Sequence, residues 1–163
     1  MSAPRGGFGR SRFAAAALGL LVLLCAGRTT LTAADFGVRG GPYTDSEEPF
    51  VGAELLFNLD NENRWYGNPN AEYVFVENGG LATISFDFHY DLAAGGRAAV
   101  WAGAGPTLIL VDRDRPGNDD DVDAGANLLF GVGAREGEVR PYGQVKLILA
   151  DDSQAVLAFG IRF

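Results

Sequence analysis

Between residue 35 and residue 163 the chain repeats one pattern eight times: a short run in which apolar side chains alternate with small or polar ones, then a stretch of turn residues. Alternate side chains of an extended strand point to opposite faces, so each run reads as a strand with one apolar face. The runs cover 35–42, 50–59, 69–77, 81–91, 97–110, 122–134, 138–149 and 154–163. Between them lie YTDSEEP, NENRWYGNP, NGG, AAGG, DRDRPGNDDD, REGE and DDS, rich in the Gly, Pro, Asn and Asp that turns require. The single Lys, the single Met and the 23 Gly argue against a helical bundle. Eight short strands fit a soluble barrel or sandwich, or a transmembrane barrel.

The first 34 residues read differently. Arg5, Arg10 and Arg12 precede the apolar stretch FAAAALGLLVLLCAG, and Thr32 and Ala34 sit where a small-residue cleavage site needs them. The apolar run is shorter than the roughly 20 residues of a spanning helix. Residues 1–34 are therefore expected to be a signal peptide and 35–163 a single β-barrel domain. A retained anchor is the alternative, and a lipoprotein at Cys25 is disfavoured by the bulky Leu24 before it. Cys25 is the only cysteine, so the exported part has no disulfide to staple it. That part holds all 21 acidic residues and 9 of the 13 basic ones, a net charge of −12, which argues against a nucleic-acid partner.

The composition of the faces separates the architectures. Ala82, Ile84, Phe86, Phe88 and Tyr90 alternate with Thr83, Ser85, Asp87, His89 and Asp91, and Val139, Val145, Leu147 and Leu149 alternate with Arg140, Tyr142, Gln144 and Lys146. The polar faces carry few long charged residues and many small ones, which suits a cramped lumen better than a solvated surface. Their charges are Arg39, Arg140, Lys146 and Arg162 against Glu54, Glu72, Asp87 and Asp123. Equal numbers are what an enclosed network needs, because an unpaired buried charge is costly. With His89 these residues are the expected lumen polar network. The run RAAVWAGAGPTLIL is small and apolar on both parities, so its faces stay unassigned, and Pro106 within it would interrupt a ladder.

The last run, AVLAFGIRF, alternates Ala155, Leu157, Phe159, Ile161 and Phe163 and ends on the aromatic. With WYGNPNAEYVFV and RPYGQVKLIL, it resembles strands of the eight-stranded outer-membrane β-barrel family, the class of the outer membrane protein A transmembrane domain. The resemblance implies an all-β, antiparallel up-and-down transmembrane barrel. It also implies export, location in the bacterial outer membrane among its lipids, and assembly through the secretion and barrel-assembly machinery. Phe159, Ile161 and Phe163 would be the assembly signal. It does not by itself imply an activity.

Candidate chemistry is sparse. His89 shares a face with Asp87 and Asp91, as a general base and its orienting acid would. Lipid-deacylating barrels resemble a His-x-Ser pair, but here the sequence is His89-Tyr90-Asp91, with no Ser two positions on. Asp112, Asp114, Gly117 and Asp123 fall at calcium-loop spacing, but Pro116 replaces a ligand and strands flank the loop. Phe57, Tyr73, Phe75, Tyr90, Phe130, Tyr142, Phe159 and Phe163 read as interfacial girdles. No metal or cofactor motif is present. The expectation is a non-enzymatic, monomeric barrel with a side-chain-filled lumen and a structural, adhesive or interaction role through its outer loops, too narrow for porin-like conduction. A lipid-modifying barrel enzyme and a soluble ligand-binding barrel remain as alternatives.

Overall fold

The computed structural model describes residues 34–76, 80–93, 95–112 and 121–163. The segment expected to be a signal peptide lies outside them except for Ala34. Eight strands follow in order: β1 (Asp35–Pro42), β2 (Pro49–Asn58), β3 (Trp65–Val74), β4 (Gly80–Asp91), β5 (Ala98–Asp112), β6 (Asp121–Ala134), β7 (Arg140–Leu149) and β8 (Gln154–Arg162). Each pairs antiparallel with the next, and β8 pairs with β1, so the sheet closes into a barrel with no free edge. Asp35 and Phe163 share one end, here called the near end, with the connections 59–64 and 135–139 and the described residues 92, 93 and 95–97. The connections 43–48 and 150–153 and the described residues 75 and 76 belong to the far end.

The pleat sorts the side chains as the alternation demands. Val38, Val51, Tyr73, Phe88, Leu108, Leu128, Phe130, Val145, Leu147 and Phe159 stand on the outside, exposed. Arg39, Glu54, Asn70, Glu72, Asp87, His89, Asn127, Gln144 and Lys146 are buried inside. The barrel is thus inverted relative to a soluble one.

Two strands depart from the sequence reading. β3 begins at Trp65, not at residue 69, because Gly67 and Pro69 sit within the ladder rather than in a turn. Residues 65–74 pair without interruption with β4, from Trp65 against Tyr90 to Val74 against Leu81. On the β2 side, pairing stops at Glu54–Asn70 and resumes at Phe57–Gly67. There the Asn68 side-chain amide donates to the Leu55 carbonyl (2.8 Å), opposite the proline that has no N–H to offer. The Phe57 ring lies across Gly67 and covers the backbone a side chain would otherwise shield. In β5, the strand without a legible face, Trp101 points inward and is 4% exposed, while Pro106 points outward. Trp101 pairs with Gly131 of β6, where a Cβ would clash with the indole. The absence of a side chain at Gly131 decides the face.

Candidate functional site

The lumen is built in three layers. At its middle, period-two spacing on β1, β2, β3, β7 and β8 directs Arg39, Glu54, Glu72, Lys146 and Arg162 into one cluster. Glu72 receives Lys146 Nζ at 2.7 Å and Arg39 Nη2 at 2.7 Å, and accepts hydrogen bonds from Thr83 and Tyr43, each at 3.1 Å. Glu54 receives Arg162 Nε at 2.7 Å and Asn68 Nδ2 at 3.1 Å, with Arg39 Nη1 3.5 Å away. Each carboxylate therefore spreads its lone pairs over several donors, which is what makes a buried ion pair tolerable.

Among the described residues no cation forms an ion pair with Asp87. It accepts from the Asn70 and Asn127 amides, each at 2.9 Å, and Asn70 in turn accepts from Arg39. Its charge reaches Arg39 only through an amide. Ser85 and Thr107 share a hydrogen bond alongside at 2.9 Å.

The near-end layer is aromatic. His89 stacks on Trp101 with ring centroids 5.9 Å apart and planes 9° from parallel. Trp101 donates to Gln144 Oε1 (3.1 Å) and meets Tyr142 edge-on. The Arg162 guanidinium lies over both rings, 4.2 Å from the Tyr142 centroid and 5.0 Å from the Trp101 centroid. At the far end, Tyr43, Phe50, Val74, Ile148, Val156 and Ala158 form an apolar layer.

The nine residues expected to form one polar network do not all meet. Arg140 stands at the near rim on Asp35, 2.6 Å away, and does not reach His89. Asp123 is half-exposed and accepts from the next backbone N–H, Ala124, at 2.7 Å. Among the described residues His89 packs by stacking and makes no hydrogen bond to Arg140 or Lys146. Tyr142 belongs to the lumen, not to a girdle. Asn68, Asn70, Asn127, Trp101 and Gln144 belong to the lumen as well, although only Asn127 and Gln144 stand out as polar-face residues in the alternation. Most of the acidic stretch with calcium-loop spacing lies outside the described residues, and among the described residues no cluster of metal-ligating side chains occurs.

The near rim has its own braces. Arg135 pairs with Asp91 at 2.5 Å and donates to the Ala93 carbonyl, tying the β6–β7 turn to the β4–β5 turn. The Asp91 hydrogen bond raises the Arg135 pKa above its ordinary value. Arg64 stacks on Tyr90 and donates to its hydroxyl at 2.8 Å, while Trp65 packs on the same ring.

No protein-family model matches the chain, and no curated protein sequence matches it. Solved structures do. The N-terminal β-barrel domain of Pseudomonas aeruginosa OprF superposes with a TM-score of 0.68 at 12% identity, over 80% of this chain and 95% of that one. Neisserial surface protein A gives 0.58 at 14% identity, over 79% and 92%. Ail of Yersinia pestis, crystallised with the heparin analogue sucrose octasulfate, gives 0.50 at 10% identity, over 80% and 95%. At these identities the likeness is one of fold, and the fold is the eight-stranded antiparallel barrel of bacterial outer-membrane proteins.

Proposed function

We propose that this chain is an integral outer-membrane protein without enzymatic activity, whose barrel anchors far-end connections that carry a structural, adhesive or interaction role. The inversion of the barrel carries this reading. Burying the charges inside and leaving a belt of Leu, Val and Phe outside is costly in water and favourable in lipid. The near end, with Trp65, Tyr90 and their arginine, then faces the periplasm. The far end faces outward, and Phe159 and Ile161 of β8, with Phe163 next to it, are the lipid-facing row offered to the assembly machinery.

The placement of His89, buried in the lumen and stacked on Trp101, supports a packing role for this side chain. Charge narrows the class of partner. The described far-end connections carry Asp45, Glu47, Glu48, Asp151 and Asp152 and no Lys or Arg. The acidic balance of these described connections favours neutral or cationic surfaces over a sulfated saccharide of the kind crystallised with Ail.

Membrane fractionation with gel mobility of unboiled against boiled protein tests the anchoring. Recovery in the outer-membrane fraction with a mobility shift on boiling is expected. Recovery from the soluble fraction with no shift overturns it.

A further inference from the structure

The two ends of the lumen are closed by different chemistry, and the difference has a consequence for water. We propose that the barrel is sealed at its far end alone. An apolar plug built on Tyr43 and Phe50 is the barrier to water and ions, and the lumen from the charged layer to the near rim is a blind, hydrated vestibule. This rests on the membrane reading above.

The plug is dry by construction. Tyr43, Phe50, Val74, Ile148, Val156 and Ala158 are each at most 2% exposed, with Val76, Leu81 and Ile109 packed around them. Tyr43 and Phe50 flank the β1–β2 turn and meet edge to face with centroids 5.7 Å apart. The one side-chain polar atom of this cluster, the Tyr43 hydroxyl, points towards the charged layer and donates to Glu72. Water entering the plug would find no side-chain partner, and apolar interiors without polar partners stay dry. A hydrophobic constriction of this kind blocks permeation by dewetting.

The other layers are the opposite. His89 Nε2, Gln144 Nε2 and one Arg162 terminal nitrogen are buried and find no partner among the described residues. Asn127 Oδ1 beside Asp87 is in the same position. Buried polar atoms of native proteins are satisfied by protein or by ordered water. These four all lie on the near side of the plug. The occupant is neutral, because Arg39, Lys146 and Arg162 are matched in number by Glu54, Glu72 and Asp87, the fourth buried acid, Asp91, is paired with Arg135, and a further ion would leave the lumen charged.

Two measurements on the full barrel test the proposal. In water-selective NMR of the micelle-bound protein, the Trp101 indole N–H and the Gln144 side-chain amide should exchange magnetisation with water, and the Val156 and Ile148 methyls should not. Water at the methyls, or none at Trp101 and Gln144, overturns the vestibule. In planar bilayers, the Phe50→Gly/Val156→Gly variant should give discrete conductance steps where the unsubstituted barrel and Arg162→Met give none. Conduction by Arg162→Met with the plug intact places the barrier in the charged layer and overturns the seal. Silence from a plug variant that still shows the boiling-dependent mobility shift does the same. A failure of the membrane reading shows separately, as protein that neither inserts nor shifts, and the NMR result on the unsubstituted chain does not depend on whether a variant folds.

Discussion

Glu72 is the residue on which the lumen turns, because one carboxylate serves Lys146, Arg39, Tyr43 and Thr83 at once. Replacing it by Gln leaves Lys146 without a counter-charge and Arg39 with only the more distant Glu54. Breaking a buried pair on one side costs about 3–5 kcal/mol, so Glu72→Gln should lower stability in urea titrations of vesicle-bound protein by that order. Adding Lys146→Met should recover part of the loss, since the second substitution removes the stranded charge. A double-mutant cycle with no coupling between the two would contradict the shared-carboxylate account. Alternation, with the small polar composition of the faces, is enough to direct Arg39, Glu54, Glu72, Lys146 and Arg162 inward. It does not say which cation meets which acid, because that depends on strand register. Nor does it mark Trp101 as a lumen residue, since what places the indole is the missing side chain at Gly131 on another strand.

At the scale of the strand, prolines mark where the ladders open. Pairing between β4 and β5 stops at Ser85–Thr107 and resumes at Phe88–Ala104, beside Pro106. Pairing between β1 and β8 covers Gly37–Arg162 to Gly40–Phe159, skips Pro42, and returns only as a single bridge between Tyr43 and Val156. The seam that closes the barrel is thus the shortest of its ladders, four residue pairs against eight between β1 and β2. Amides of β1 and β8 at this seam should exchange with deuterium ahead of those between β5 and β6, as hydrogen-exchange NMR would read. Equal protection around the barrel would show that the interruption at Pro42 costs nothing. A proline also hides the true start of β3 in the sequence. Gly67-Asn68-Pro69 has turn composition, and in isolation it should end a strand. It stays extended because the pairing with β4 is continuous and the defect is confined to one side, where Asn68 fills the gap.

For the molecule as a whole, the decisive property is which solvent its outer surface is made for. The number of strands and the two faces of most of them are legible in the sequence, since period-two alternation survives any uncertainty about boundaries. Which face points outward is not fixed by alternation, only suggested by the small polar residues and matched charges of one face. A substitution on the belt reads the solvent directly. Leu128 is exposed on the outside of β6, between Ala104 of β5 and Leu147 of β7, away from both ends of its strand. On a soluble barrel, Leu128→Arg at an exposed position would be nearly neutral, within about 0.5 kcal/mol. In a bilayer the same arginine near the midplane should cost about 2–4 kcal/mol, while Glu136→Arg at the near-end turn should cost about 0–1 kcal/mol. Urea unfolding in vesicles measures both. A large loss for Leu128→Arg beside a small one for Glu136→Arg is the expected result. Equal and small losses would mean that the belt faces water, and the apolar exterior would then have to be covered by another protein.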